Sequence, residues 1–143
     1  MSSIIEELEA RTKKDSRVRA VLRRSLAFAP GTFATAFPYV EHRLCDDHNN
    51  WTRSTYYLVA GLWALHWRKG HDSGSRLPVV CGLHYLKSNK SSSIEQRFIA
   101  LLDADECQLA HRLRQMVALL KDYPIDFDEL LKDLLSWNHP DKF

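Results

Sequence analysis

Glycine and proline are scarce, at five residues each among 143. Hairpin-rich sheet proteins draw heavily on both for their turns, so this scarcity argues against an all-β fold. Cysteine is scarcer still. Cys45, Cys81 and Cys107 are odd in number and scattered, a pattern that suits reduced thiols in a cytoplasmic protein and not a disulfide framework. No secretory signal is expected, because MSSIIEELEARTKK turns acidic and then basic without a long apolar core. The longest apolar run, Tyr56 to Trp67, is broken only by Gly61 and His66. It falls short of the roughly 20 residues that span a bilayer. Also missing are a G-x-S-x-G elbow, a P-loop, a dinucleotide fingerprint and an H-E-x-x-H pair. The sequence therefore nominates no nucleophile, general base or phosphate-cradling loop, and no cofactor is expected.

What is present is charge, unevenly distributed. The net charge of +2 conceals −3 over residues 1–10, +5 over 11–42, +4 over 43–90 and −4 over 91–143. The densest basic stretch, residues 11–24, holds Arg11, Lys13, Lys14, Arg17, Arg19, Arg23 and Arg24 against the single acid Asp15. A local field of that sign attracts polyanions even when the whole molecule is near neutral.

The other recurrent signal is helical periodicity. Residues 16–28 read as a helix with Ser16 as its N-cap. Val18, Val21, Leu22 and Ser25 share one face; Lys13, Arg17 and Arg24 line one side of it, and Arg19 and Arg23 the other. Pro30-Gly31 closes this helix, and a short helical piece near Thr35–His42 is expected to be interrupted by Pro38. After Asn49-Asn50, the segment from Trp51 to Trp67 is apolar on nearly all sides, which predicts a helix buried over most of its surface. Gly61 in its middle predicts close approach by another helix. A surface loop follows at 69–75, and residues 79–88 fit strand or helix, with helix favoured by their neighbours. Three capping-box spacings then recur: Ser92 with Glu95, Asp105 with Gln108, and Asp126 with Glu129. They introduce apolar sets at Ile94, Phe98, Leu101 and Leu102; at Leu109, Leu113, Met116, Val117 and Leu120; and at Leu130, Leu131, Leu134 and Leu135. Ile125 and Leu130 have the spacing of a hydrophobic staple. The expected fold is all-α: two small helical lobes packed together, with no extended sheet. The expected division is an N-terminal lobe at 1–68, a connecting segment at 69–92 and a C-terminal bundle at 93–143.

The ordered set of segments resembles the CasB family, the small subunit of type I-E CRISPR Cascade complexes. The resemblance is carried by Leu22-Arg23-Arg24-Ser25, by Tyr56 to His66, and by a C-terminal signature. That signature comprises Arg97-Phe98, Leu101-Leu102, Arg112-Leu113-Arg114-Gln115, Pro124-Ile125-Asp126, Leu130-Leu131, Asp133-Leu134 and Trp137. It covers roughly residues 15–137. Gln96 departs from the family's pattern, which has a second arginine there, and the stretch between Trp67 and Ser91 is shorter than in some relatives. The resemblance implies a non-catalytic helical subunit, present as a pair of copies in an RNA-guided surveillance complex for antiviral defence. Its implied partners are CRISPR RNA, target DNA including the displaced strand, the CasC backbone, the CasA and CasE subunits, and a second copy of itself.

On that reading the residues expected to bind nucleic acid are Lys13, Arg17, Arg19, Arg23, Arg24, Arg53, Arg97, Arg112 and Arg114. Arginine suits phosphate because its planar fork donates two hydrogen bonds to one group. Phosphate contacts give affinity without sequence information, as a complex that reads sequence by base pairing requires. Arg112 and Arg114 lie about 200° apart on one helix, so one is expected to face nucleic acid and the other an acid of the chain. Among the tryptophans, only Trp51 is kept as a base-stacking candidate; Trp63, Trp67 and Trp137 fall in apolar stripes. His66 and His111 read as amphipathic surface positions. Two rival readings exist. One is a purely structural adaptor whose charged faces are solvated or meet only proteins. The other is a metal-dependent phosphohydrolase built on His42, His71-Asp72 and Asp103, with His42, Cys45 and His48 as a further weak metal set. No metal site is expected.

Overall fold

The computed structural model describes residues 3–44, 50–66, 92–102, 106–120 and 125–135. The chain is all-α, with no extended strand among the described residues. In order it forms α1 (Ile4–Lys14), α2 (Arg17–Arg24), a 3₁₀ turn (Ser25–Ala27), a second (Ala34–Ala36), α3 (Phe37–Val40), a third 3₁₀ turn (Glu41–Arg43), α4 (Asn50–His66), α5 (Ser92–Leu102), α6 (Glu106–Leu119) and α7 (Phe127–Leu135). It divides into two compact units. One comprises Met1–Trp67 with Phe127–Phe143, and the other Arg68–Asp126.

The first unit is organised around α4. Tyr57, Leu58, Val59, Ala60, Leu62, Trp63 and Ala64 are all buried, and so is Gly61 between them, so all eight consecutive positions from 57 to 64 face protein. Each large side chain among these contributes about 1.5–3 kcal/mol by leaving water. One neighbour cannot cover a helix that is apolar all round. α2 packs on one side of α4 and α7 on another, while α1 packs on α2 and touches α7. Trp51, at the start of α4, donates its indole N–H to the carbonyl of Leu134 near the end of α7, at 2.9 Å. His66, at the other end, sets its ring edge-on against Phe127, which opens α7, with centroids 5.4 Å apart. α4 and α7 therefore run antiparallel.

This differs from the division expected from sequence, which grouped α7 with the bundle at 93–143. The apolar face of α7 (Leu130, Leu131, Leu134) is buried in the unit that contains α4, because α4 has apolar surface still to cover. His66 is likewise no surface position, being only 4% exposed, whereas His111 is exposed. The segment 69–92 lies almost wholly outside the described residues, as do Asn49, Asp105, Trp67 and Trp137.

α1 carries a signal that composition alone conceals. Ser3 accepts the Glu6 backbone N–H at 3.1 Å and donates to Asp128 Oδ2 at 3.0 Å. Ser3 to Glu6 has the capping-box spacing. Glu6 and Glu7 in the first turn and Arg11, Lys13 and Lys14 in the last complement the helix dipole. The acidic-then-basic order of the N-terminus is thus the charge order of a helix, whose Ile4, Ile5 and Leu8 are buried. Pro38 does not interrupt the next helical piece. It sits in the first turn of α3, where its missing N–H leaves no bond unmade.

The second unit pairs α5 with α6. Leu109, Leu113, Met116, Val117 and Leu120 are buried, at the helical spacing read from sequence, and Leu101 faces inward from α5.

Gly61 is the contact point between α4 and α2. A methyl group there would lie 2.7 and 2.9 Å from atoms of Leu26 and 3.2 Å from the Leu22 carbonyl oxygen. Alanine would gain about 1 kcal/mol of helix propensity, but overpacking costs about 1–3 kcal/mol and the carbonyl cannot rotate away. Gly61→Ala is expected to lower stability by about 1 kcal/mol and Gly61→Leu by several times more, read as shifts in urea unfolding midpoint. A Gly61→Ala protein more stable than the parent would mean that α2 does not sit this close.

Candidate nucleic-acid interface

The basic stretch of the sequence folds into the corner between α1 and α2. Asp15 shapes it. Its backbone N–H closes α1 by donating to the Arg11 carbonyl. Its carboxylate accepts the Arg17 backbone N–H at 3.0 Å, and so caps α2. Ser16, the expected cap, is already helical in backbone and makes no capping bond. The same carboxylate holds the Arg17 side chain in a fork, at 3.1 Å to Nε and 3.2 Å to an outer nitrogen. These bonds keep the Asp15 carboxyl below its ordinary value and raise that of Arg17. Arg17 is thus 84% exposed yet internally paired.

α2 buries Val18 and Leu22, and Ser25 continues that face by donating to the Leu22 carbonyl at 2.5 Å. On a 3.6-residue helix this turns Arg23 and Arg24 to either side of the outward pole, about 100° apart, with the small Ala20 between them. Arg23 and Arg24 are exposed, as are Lys13 and Lys14 at the end of α1. None of these four forms an ion pair with a described residue. Arg19 is half-buried and holds interactions of its own. The corner between α1 and α2 therefore offers Lys13, Lys14, Arg23 and Arg24 outright, and Arg17 in competition with Asp15.

One feature beside this corner escaped the sequence reading. Phe28, the extended residue that ends the 3₁₀ turn after α2, is 49% exposed. It stacks on Phe33 with centroids 4.8 Å apart and planes 3° from parallel. The signal available in sequence was an aromatic residue on each side of Pro30-Gly31. Trp51, the tryptophan expected to stack on a base, is occupied: it is bound to α7 through its indole N–H.

Arg53 is a correction of the same kind. Its guanidinium pairs with Glu41, donates to the Gly31 carbonyl at 3.1 Å, and lies 5.1 Å from the ring centroids of both Phe37 and Tyr57. Tyr57 donates to the same Glu41 oxygen at 2.6 Å. Gly31 adopts φ 84°, a left-handed conformation that favours glycine, and its carbonyl accepts from this cluster. Arg53 is engaged in holding the 28–33 loop to α4 and is not available to phosphate. The hydrogen bond from Tyr57, followed by that from Arg53, outweighs burial and lowers the Glu41 carboxyl. Burial and the bond to Glu41 push the Tyr57 hydroxyl well above its ordinary value.

The remaining predicted cations lie in the second unit. Arg97 on α5 is exposed, and Arg112 on α6 is half-buried. They line one groove of about 200 Å³ with Gln96, Ala100, Gln115 and Met116. Arg114 is exposed, does not line this groove, and holds interactions of its own. Among the described residues no three His, Cys, Asp or Glu side chains gather as metal ligands. His42 instead bonds Glu7 at 2.6 Å. Cys45, His48, His71, Asp72 and Asp103 lie outside the described residues.

The family model for CRISPR-associated protein Cse2 matches residues 18–143. The chain belongs to the Cse2 family. It is 47% identical over 126 residues to the CRISPR-associated protein Cse2 of Thermus thermophilus, covering 87% of this chain and 71% of that one. The crystal structure of a CRISPR-associated Cse2-family protein from Thermus thermophilus superposes with a TM-score of 0.81 at 42% identity, over 99% of this chain and 92% of the other. The crystal structure of M. ruber CasB gives 0.79 at 37% identity, over 99% and 87%. Cse2 and CasB thus meet in one fold, and the family resemblance read from the ordered segments holds. No described helix is long and apolar enough to cross a membrane.

This corner of the Cse2 fold is held by carboxylates whose ionisation matters to stability. Glu7 accepts from Arg43 at 2.7 Å and His42 at 2.6 Å and pairs with Arg11 at 3.3 Å, tying α1 to the 3₁₀ turn Glu41–Arg43. Burial alone would raise its carboxyl, but the bonds from Arg43 and His42 outweigh burial and hold it below the ordinary value of 4.5. A lowered folded-state value favours folding above the ordinary carboxylate range, and that contribution disappears as pH falls through the lowered value. Glu7→Gln is expected to cost about 1–3 kcal/mol near neutral pH and to make the acid limb of the stability curve shallower. Urea unfolding at a series of pH values measures both. An unchanged acid limb would remove Glu7 from the account.

Proposed function

We propose that this chain is a non-catalytic small subunit of a type I-E CRISPR Cascade complex. In this role it binds nucleic acid without sequence preference and stabilises the guide RNA–target R-loop and the displaced strand. The carrying observation is the group of exposed cations without internal ion pairs, Lys13 and Lys14 at the end of α1 and Arg23 and Arg24 on the outward side of α2. Here the one acid of the stretch, Asp15, is spent on capping α2 and on Arg17, so four cations face solvent on a rigid scaffold. Positive charge of this kind binds phosphate chains irrespective of base. Phe28, backed by Phe33, adds a flat apolar face where the 3₁₀ turn after α2 ends, of the sort on which an unpaired base stacks. A single strand uses both features, while duplex uses only the charge.

The partners proposed with this role are CRISPR RNA, target DNA, the CasC backbone, the CasA and CasE subunits and a second copy of the chain, in the cytoplasm. The acidic 91–143 portion, at net −4, suits contact with basic protein surfaces. The metal-dependent hydrolase reading draws no support from the described residues, where His42 is bonded to Glu7.

The test is single-stranded DNA binding by fluorescence anisotropy across a salt series. Arg23→Ala with Arg24→Ala is expected to lower the magnitude of the log–log salt slope by about 1.4, at about 0.7 per phosphate contact on single strands, with the helical circular dichroism unchanged. Asp15→Asn, which keeps a capping oxygen but frees Arg17 from its counter-charge, is expected to tighten binding. A double variant with the parent's slope would remove α2 from the interface, and an inert Asp15→Asn would show that Arg17 takes no part.

A further inference from the structure

We propose, resting on the nucleic-acid reading above, that Arg53 is the positioning residue for the Phe28–Phe33 stack, and that it thereby sets the preference of this surface for unpaired over paired strands. Arg53 touches no phosphate in this role. It acts through the loop that it holds.

The two rings flank a tight turn. The Thr32 backbone N–H donates to the Ala29 carbonyl at 3.1 Å, and the Thr32 hydroxyl donates to the same oxygen at 2.6 Å. Pro30 and Gly31 are the central residues, and Gly31 at φ 84° has the left-handed backbone that the second central position of a type II turn requires. Phe28 precedes the turn and Phe33 follows it, so closing the turn lays ring on ring, 4.8 Å apart and 3° from parallel. Phe33 is half-buried and backs one face of Phe28, which stays 49% exposed. Any unpaired base can stack on such a ring, because every base has a flat π face. A base inside a duplex spends both faces on its neighbours and gains nothing from it.

Arg53 of α4 ties this turn to the helical scaffold. One arm of its guanidinium pairs with Glu41, and the other donates to the Gly31 carbonyl at 3.1 Å. Gly31 is seated on the same cluster: a Cβ built there would meet Arg53 Nε and Tyr57 Cδ2 at 3.5 Å each. The guanidinium carbon lies 5.1 Å from the ring centroids of Phe37 and Tyr57, and Tyr57 donates to the Glu41 oxygen that Arg53 uses. A planar fork held by two rings and a carboxylate has little freedom left, so the carbonyl it grips has a fixed place. A ring already in place pays less ordering entropy when a base lands on it. Lysine at position 53 would keep the positive charge beside Glu41 but lose the planar fork that reaches both acceptors.

The test is fluorescence anisotropy of the full protein with a single strand and with the duplex of the same sequence. Phe28→Ala is expected to weaken single-strand binding about tenfold and to leave duplex binding as it was. Arg53→Lys is expected to weaken single-strand binding about threefold, with duplex binding and the salt slope unchanged because no phosphate contact is lost. In the Phe28→Ala background Arg53→Lys is expected to do nothing more, since both act through one ring. Gly31→Ala disturbs the turn without touching Arg53 and is expected to give the same single-strand loss. If Arg53→Lys weakens single strand and duplex alike, or lowers the salt slope, Arg53 serves phosphate or the whole surface and the proposal is overturned. An Arg53→Lys loss of the same size with and without Phe28 overturns it too. If Phe28→Ala is inert while Arg23→Ala with Arg24→Ala still weakens binding, the stack is no base seat although the nucleic-acid function stands. If no strand binds at low salt, both readings fall together.

Discussion

The first unit depends on the burial of α4. It is apolar on almost every side, so it cannot lie on a surface and must be clad. α2 lies against it at Gly61, where the absent side chain admits Leu26 and the Leu22 carbonyl. α7 lies antiparallel on another flank, fixed at both ends by Trp51 and Phe127. The display of charge follows from this packing. Val18, Leu22 and Ser25 commit one face of α2 inward, and the geometry of the helix leaves Arg23 and Arg24 outward. The positive surface is thus a by-product of how the hydrophobic helix is covered, and it is as rigid as that cover.

Not every cation near the corner is available. Whether a guanidinium serves structure or a partner is decided by the carboxylates and carbonyls within its reach. Glu7 gathers Arg11, Arg43 and His42; Glu41 gathers Arg53 and Tyr57; Asp15 takes Arg17. Most of these links join segments distant in sequence and hold the turns between α2 and α4 in place. The cations left over are those at the end of α1 and on the outer side of α2, together with the pair in the α5–α6 groove. A basic protein that used all its arginines internally would have no surface for a polyanion. One that used none would have a loosely held corner. Here the division follows position on the helix faces.

Much of this was legible in the sequence because it depends on local spacing. The all-α class, the burial of α4, the role of Gly61, the inward set of α6 and the outward placement of Arg23 and Arg24 all follow from 3.6-residue periodicity and cap chemistry. What was not legible depends on contacts between distant segments. α7 carries the same leucine pattern as its neighbours, and nothing local says that its face is needed by α4 and not by α6. Arg53 looks like any basic residue near a helix start until Glu41 and the Gly31 carbonyl are brought to it. Trp51 looks free until Leu134 arrives. Phe28 and Phe33 are ordinary aromatic residues until the turn at Gly31 folds one onto the other. α1 is the exception: its capping spacing at Ser3 and Glu6 was there to be read.

The central claim is that α2 is held by α4 as a single rigid element, so that its outward arginines form a fixed edge. Native-state hydrogen exchange on the free protein reads this directly. Backbone amides of α2 and α4 are expected to exchange with one common opening free energy, close to that of global unfolding, and to respond together when denaturant is added. If α2 exchanges through its own low-energy opening while α4 stays protected, its arginines have no fixed arrangement, and the account of the surface as a scaffolded edge is contradicted.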